Sequence, residues 1–438
     1  MNKEPDSTIG DTAAARDFYI PVRRTDIVDA LAASGGLPPP EREKFRQLCR
    51  LLAAIYHHQF FRQLEKLRDD YYYFSPDREG PAHLDPQAVA QAHDELVETL
   101  VAVLREANFV TISRNEVADA HEEHHVLRVA VETPTEDFRD LLLFRRGHHV
   151  ETVEVSEWFG LRKREVEVLV YDHVVLMVMI KPEGRLTPKQ KKRLERSKLR
   201  PGSVLIKYFQ HIARPDLDML FPNVRVVMSL FDKLFLGVPA LAGSIPIVLN
   251  LLPTVTVLFV VLGFYLGFGG SIEEGEEKKA LAALSAIGAL GGFMVRQWTK
   301  YQRQALKYHK AIADNVYFRN VSNNAGVFDY LIGAAEEQES KEALLAYYVL
   351  LTAKTPLDQP GLEREVEHFM WVTFSVEVEF EVDDALAKLE HLSLLRRDGD
   401  KLSVVPIDEA LATLDREWGA FFPVPTASAP QPQPVQGS

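Results

Sequence analysis

A chain of 438 residues, 46% hydrophobic and 26% charged, is long enough for two or three globular domains and too polar for a transporter with many spans. The formal net charge of −13 disfavours non-specific binding to nucleic acid by the chain as a whole, although a local basic patch could still bind phosphate. The single cysteine, Cys49, excludes an internal disulfide, a CxxC redox pair and a four-cysteine zinc site.

The N-terminal half is predicted to be an α+β domain covering residues 17–232. Residues 1–16 lack the apolar core of a secretory signal and are predicted to be disordered. Apolar residues recur every three or four positions over residues 41–75, and Asp85 and Pro86 begin a second helix. Apolar alternation then predicts an antiparallel sheet, with strands at Leu127 to Val131, Phe138 to Arg145, His149 to Val155 and Val166 to Ile180.

One pattern in this half is similar to a zinc site. His121-Glu122-Glu123-His124-His125 satisfies H-E-x-x-H, in which two histidines one helical turn apart hold zinc and the glutamate acts as a base. That chemistry requires a buried amphipathic helix, whereas here a short polar helix runs directly into a predicted strand. We therefore interpret the pattern as a solvated helix end, and we predict no catalytic, cofactor-binding or metal-binding residues.

Two basic features are candidate anion sites. Lys181 to Arg200 holds nine Lys and Arg and two Glu, and such a cluster attracts anionic lipid headgroups at about 1 kcal/mol per charge. The alternative is a mobile, solvated loop, and the sequence does not choose between the two. The residues expected to contact lipid are Lys189, Lys191, Lys192, Arg193 and Arg196. Phe144-Arg145-Arg146-Gly147 could likewise hold an anion, or could be a strand end followed by a turn.

Residues 233–298 are predicted to form a transmembrane hairpin with spans at about 245–268 and 280–298. From Leu234 to Phe268 no residue is charged, and a span requires about 20 apolar residues. The charged loop 271–279 separates the spans. Lysine and arginine are more frequent in the flanks than in this loop, which predicts both termini on the cytoplasmic side of the membrane. A bacterial plasma membrane is the preferred location, with an organelle inner membrane as the alternative.

Each predicted span contains a GxxxG pattern, in which the missing side chains let helix backbones approach closely. The residues are Gly263, Gly267, Gly288 and Gly292. They are interpreted as packing the two helices of the hairpin together. The alternative is a dimer seam, which together with Asn250 would suit an oligomeric channel or transport subunit.

The C-terminal part is predicted to be a helical stalk and helical hairpin, residues 299–358, followed by a winged-helix-like module, residues 359–421. The predicted order in the module is helix, extended piece, helix from Val382 to Leu392, two strands around Asp398-Gly399-Asp400, and a last helix. Between Gly361 and Trp418 the module holds 6 positive and 15 acidic residues, a net charge of −9. No nucleic acid is therefore expected as a partner.

Four glutamates of the helical hairpin raise the question of a metal site. They are Glu336, Glu337, Glu339 and Glu342. Because the Glu-x-x-His pairing of di-iron bundles is absent, they are predicted to form a solvated helix face. Beyond the module, residues 422–438 are rich in Pro and Gln and are predicted to be a disordered tail.

Taken together, several stretches resemble the domain-of-unknown-function family number 3754, a family of transmembrane protein 143-like membrane proteins. The stretches are Phe18 to Pro21 with Arg24, Phe144 to Gly147, Asp216 to Leu220 with Pro222, Ser229 to Asp232, Asn323 and Asn324 with Gly326, Ala335 to Tyr348, and Phe380 to Leu389. The match spans most of residues 17–421. The resemblance implies a two-span membrane protein with no assigned activity, cofactor or ligand.

These observations favour a membrane-anchored, non-catalytic interaction or regulatory scaffold. Its expected partners are the lipid bilayer, an unidentified protein on the cytoplasmic face and, in one alternative, further copies of itself. An oligomeric channel or transport subunit is the second hypothesis. A zinc-dependent membrane-bound hydrolase using His121, Glu122 and His125 is the remote third.

Overall fold

The computed structural model describes residues 18–78, 86–113, 130–132, 135–157, 162–222, 225–227 and 276–421, together with the single positions 116, 259, 262 and 266. Over these residues the chain is an α+β structure with an antiparallel sheet, as predicted. The helices that precede the sheet and those that follow it contribute to one hydrophobic core.

Three N-terminal helices form one side of this core. They are α1 (Arg24–Ala33), α2 (Pro39–Tyr72) and α3 (Pro86–Glu106). Proline stands in the first turn of α2. Proline has no backbone N–H, and this costs nothing there because N–H groups in the first turn form no hydrogen bond within the helix. The apolar residues of α2 recur at threes and fours and are buried, which confirms the predicted amphipathic helix. They include Phe45, Leu48, Leu52, Ile55, Phe60, Leu64 and Leu67.

The sheet follows these helices and is completed by a strand far along the chain. In chain order the strands are β1 (Val110–Thr111), β2 (Ala130–Glu132), β3 (Phe138–Glu157), β4 (Arg162–Ile180), β5 (Val204–Ala213), β6 (Arg225–Val227) and β7 (Asn320–Asn323). Five of them form an antiparallel sheet in the order β1-β3-β4-β5-β7, and β2 pairs with β6 separately. Pairing of β7 with β5 brings the C-terminal helices against the N-terminal ones.

The predicted strands Phe138 to Arg145 and His149 to Val155 are one continuous strand, β3, which pairs with β4 along its length. Gly147 joins the two halves with a φ of +66°, a conformation that glycine adopts without steric cost. A Cβ at this position would lie 2.3 Å from Oδ2 of Asp172 on β4. The chain therefore does not turn after Arg146, because glycine lets β3 continue past a close cross-strand contact.

Besides three short 3-10 helices, the described chain contains six further α-helices and one strand pair. They are α4 (Pro188–Arg196), α5 (Glu276–Arg319), α6 (Gly326–Thr352), α7 (Gln359–Phe374), α8 (Val382–His391), β8 (Leu395–Asp398), β9 (Lys401–Val404) and α9 (Ile407–Ala420). The central helix is α6, since it packs against α2, α3, α7 and α8. The elements from α7 to α9 follow the order predicted for residues 359–421, which we call the C-terminal module.

The predicted transmembrane hairpin is not supported, so the membrane part of the predicted fold class is wrong. Among the described residues, no helix is long and apolar enough to cross a membrane. The second predicted span, 280–298, lies within α5, where an apolar run rich in alanine and glycine ends at Arg296. That run is shorter than the about 20 apolar residues that a span requires. Apart from three single positions, the first predicted span, 245–268, lies outside the described residues.

The predictions derived from the hairpin have no further test in the described part of the chain. These are the bacterial plasma membrane location and the cytoplasmic position of both termini. They remain predictions, and the hairpin no longer supports them.

Candidate interaction site of the C-terminal module

The segment before α1 is tied to the middle of α6. Ile20 N–H donates to Oε1 of Gln338 at 3.1 Å, and Gln338 Nε2 donates back to Ile20 O at 3.2 Å. Lys341 Nζ donates to the same carbonyl oxygen at 3.1 Å. Both side chains are buried, so these bonds satisfy polar groups that have lost contact with water. Two of the stretches that carry the family resemblance, Phe18 to Pro21 and Ala335 to Tyr348, are thus in direct contact.

A buried polar cluster joins α6 to α8. Lys388 Nζ on α8 lies 2.8 Å from a carboxylate oxygen of Glu339 and contacts Glu342, both on α6. It also lies 2.6 Å from a carboxylate oxygen of Asp384, one helical turn earlier on α8. Glu342 accepts a further hydrogen bond from Asn108 Nδ2 at 2.8 Å. The lysine cluster, defined as Glu339, Glu342, Asp384 and Lys388, fastens the C-terminal module to the helical core.

Burial changes the ionisation of this cluster. It raises the pKa of Glu339 to about 8, although Lys388 opposes part of that shift, and it raises the pKa of Glu342 as well. Burial by itself lowers the pKa of Lys388, but attraction to Glu342, Glu339 and Asp384 outweighs burial, so the net direction is upward. Three carboxyl groups thus share one ammonium group.

The three carboxyl groups also have the spacing of a cation site, because their oxygen atoms lie within 4.8 Å of one another. Lys388 Nζ contacts all three, so an ammonium group stands where a metal ion would. The predicted solvated face is wrong for Glu339 and Glu342, which are 9% and 2% exposed. Glu336 and Glu337 keep more of their side chains exposed. Because Lys388 belongs to another helix, no pattern within α6 could reveal this burial.

The C-terminal module carries an open cavity of about 640 Å³. Its lining comes from α7 and the segment after it: Arg364, Glu365, Glu367, His368, Trp371, Glu377 and Val378. Trp371 is 53% exposed, and its neighbour Val372 is 65% exposed. Tryptophan is enriched among the residues that dominate binding energy in protein interfaces. We call this cavity, together with residues 376–380, the docking groove.

One rim of the docking groove is an extended segment. Helix α7 ends at Phe374, and the φ of +57° at the capping residue Ser375 redirects the chain. In the next residues burial alternates, since Val378 and Phe380 are buried while Glu377 is exposed, which is the pattern of a strand. Phe380 N–H donates to Oε1 of Glu367 on α7 at 3.2 Å. This bond holds the segment against the helix.

Aromatic side chains hold the paired arginines of β3. The guanidinium of Arg146 lies 4.5 Å from the ring centroid of Tyr19 and 4.7 Å from that of Phe109. The guanidinium of Arg145 lies 5.3 Å from the ring centroid of Tyr171. Such contacts contribute about 0.5 to 2 kcal/mol each. Since Arg146 is buried between two rings, the geometry favours a role in joining the sheet to the helices over the anion site considered from the sequence.

The basic run predicted to contact lipid forms a defined helix, α4, with a capping box at its N-terminus. Arg193 is bound to Glu136 at 2.8 Å and to the buried Asp137, and Lys191 lies 2.9 Å from Glu183. The remaining three basic residues of the prediction are exposed, namely Lys189, Lys192 and Arg196. The loop interpretation is wrong, while lipid contact stays a prediction that no described contact tests.

The other predicted sites are not tested by described contacts. His121 to His125, Gly263, Gly267 and Asn250 lie outside the described residues. Gly288 and Gly292 are exposed on α5, and a Cβ at either position would meet no described atom within 4 Å. The predicted packing of helices through these glycines therefore stays a prediction.

A family model described as "Protein of unknown function (DUF3754)" matches residues 171–326. This match confirms the resemblance expected from the sequence over that range, which runs from β4 to the start of α6. No solved structure matches the chain. The matched range ends before the C-terminal module, so the role of the module must be argued from its own residues.

Proposed function

We propose that the protein is a non-catalytic interaction protein that binds another protein through the docking groove of its C-terminal module. The observation that carries this proposal is the pair of exposed apolar residues, Trp371 and Val372, beside an open cavity on a strongly acidic surface. Isolated apolar side chains at a surface are ordinary, but an indole next to a concave site has the features of an anchor for a partner.

The chemistry of the groove supports protein binding over other functions. Among its described lining residues there is no serine, threonine, cysteine or lysine, so the hydroxyl, thiol and amine nucleophiles of covalent catalysis are absent from this set. The net charge of −9 between Gly361 and Trp418 disfavours nucleic acid, whose phosphates need basic side chains. A protein partner with basic and apolar side chains requires no nucleophile in the groove and is not repelled by its acidic residues.

The module is also attached to the core by several contacts, and attachment of this kind reduces the entropy lost on binding. The lysine cluster connects α8 to α6, and Tyr347 Oη donates to Val405 O at 3.0 Å. At the other end of the module, Lys44 Nζ on α2 lies 2.6 Å from a carboxylate oxygen of Asp408 on α9. The groove is therefore presented by a surface that is fixed to the core before any partner arrives.

Site-specific photocrosslinking tests this proposal. Trp371 would be replaced by p-benzoylphenylalanine in the full chain, and a matched protein would carry the same group in place of Tyr72, an aromatic residue of α2 that is 52% exposed. Irradiation in cells that express the protein is expected to produce discrete protein adducts from position 371 that are absent from position 72. The same adducts at both positions, or none at position 371, would contradict the proposal.

A further inference from the structure

We infer that the groove takes an extended peptide segment rich in lysine or arginine, which adds a strand alongside residues 376–380 and places one apolar side chain beside Trp371. This inference rests on the proposed function and specifies the kind of partner. It follows from three features of the groove, which are its backbone, its charge and its shape.

Residues 376–380 belong to no helix or strand, but their burial alternates as it does along an extended chain. The alternating burial of Glu377, Val378 and Phe380 has the two-residue period of an extended chain. Among the described residues, the N–H groups of 376–379 donate to no acceptor, and the carbonyl oxygens of 376–380 accept from no backbone donor. The segment forms no described ladder with β8 or β9, which pair with each other.

An unpaired strand edge is a template for another extended chain. Peptides that bind in this way gain main-chain hydrogen bonds along the edge, and pockets for alternate side chains supply the specificity. Here the cavity between α7 and Val378 is such a pocket, with the indole of Trp371 on one side. A helical partner would satisfy its own backbone groups and leave those of residues 376–379 unused.

Charge selects a basic partner. Five carboxyl groups lie on or beside the groove, and they belong to Glu365, Glu367, Glu377, Glu379 and Glu381. Among the lining residues that the structure describes, Arg364 and His368 are the possible positive charges. An acidic or phosphorylated peptide would meet repulsion along the whole segment, whereas alternating lysine or arginine side chains would be attracted to it. Steering of this kind weakens as the salt concentration rises.

The probe for this inference is the fluorescein-labelled peptide Lys-Val-Lys-Phe-Lys-Val-Lys, titrated with the full chain and followed by fluorescence anisotropy at low salt. Two further peptides carry N-methyl groups on either the odd or the even residues. A strand bonds to one neighbour through alternate residues only. One methylated peptide is therefore expected to bind at least about tenfold more weakly than the parent, while the other stays within about twofold.

Variants of the chain locate the binding. Trp371→Ala is expected to weaken binding of the parent peptide about tenfold or more, as removal of an anchoring tryptophan does in other interfaces. The double variant Glu377→Gln with Glu379→Gln should weaken binding of the parent peptide at low salt but much less at high salt. Its matched control is Asp398→Asn with Asp400→Asn, which removes the same charge from exposed positions at the turn between β8 and β9 and should leave binding unchanged.

The outcomes separate this inference from the proposed function. If both methylated peptides lose the same affinity relative to the parent, or if neither loses affinity, strand addition is wrong. The docking groove would still stand as a binding site. If the peptide Glu-Val-Glu-Phe-Glu-Val-Glu binds as tightly as the parent peptide, the inference of a basic partner is wrong. If no peptide binds although position 371 still forms a protein adduct in cells, the inference is wrong and the proposed function stands.

Discussion

Lys388 on α8 and Glu339 on α6 are in buried contact, with 2.8 Å between the ammonium nitrogen and a carboxyl oxygen. Helix α8 directly follows the extended rim of the docking groove, so this pair sets the position of the rim relative to the core. A buried charge is costly without its partner, and the pair therefore makes the placement of the module sensitive to single substitutions.

Lys388→Met is expected to destabilise the protein by about 3 to 5 kcal/mol at neutral pH, because Glu342, which is 2% exposed, would remain buried without a counter-charge. Urea denaturation gives the free energy of unfolding. Lys401→Met is the matched control, since that lysine is exposed and lies 3.7 Å from Asp358, and it should change stability by less than about 1 kcal/mol. A comparable loss for the two variants would contradict a special role for Lys388.

The stability of the protein is expected to fall as the pH rises through about 8. Burial raises the pKa of Glu339 from 4.5 to about 8, so the folded state holds this proton more tightly than the unfolded state. The resulting stabilisation is complete below about pH 4.5 and is lost as the pH rises through about 8.

The check on this pH dependence is the urea midpoint measured between pH 6 and 9 for the protein and for Glu339→Gln. The variant cannot release a proton at this position, and its midpoint should therefore change less with pH than that of the original protein. Parallel curves for the two proteins would show that another group is responsible.

Gln338→Leu is expected to loosen the segment before α1, because it removes both hydrogen bonds to Ile20 while keeping an apolar side chain of similar size. Loss of two buried bonds should cost about 1 to 3 kcal/mol. Hydrogen exchange followed by mass spectrometry should show faster exchange in the peptide covering residues 18–24. Gln359→Leu, which removes an exposed bond to Asp383, is the control and should leave that exchange unchanged.

Gly147→Ala is expected to destabilise the sheet by more than Gly399→Ala does. Both glycines have positive φ, +66° and +57°, so both variants carry the cost of that backbone conformation for an L-residue. Only the Cβ at position 147 would also collide with Asp172, while that at position 399 meets open space. In thermal unfolding, Gly147→Ala should have a lower midpoint temperature than Gly399→Ala. Equal losses for the two variants would mean that the contact with Asp172 relaxes without cost.

Local periodicity explains which predictions succeeded. The spacing of apolar residues in α2 and the alternation along β4 report which face of each element is buried, and both elements have the predicted type. The order of elements in the C-terminal module could likewise be predicted from the sequence, because the Asp398-Gly399-Asp400 turn and the flanking apolar residues are local signals. The predicted hairpin is not supported, because the apolar run within α5 is too short for a span and no described helix could cross a membrane.

The sequence by itself determined the type of most described elements and the acidic character of the module, since both follow from residues close together in the chain. Only the tertiary structure decided that Glu339 and Glu342 are buried against Lys388 and that β7 completes the sheet. These features are contacts between segments that are distant in sequence. A local pattern shows that a face is buried or polar, but which segment covers it depends on how the whole chain packs.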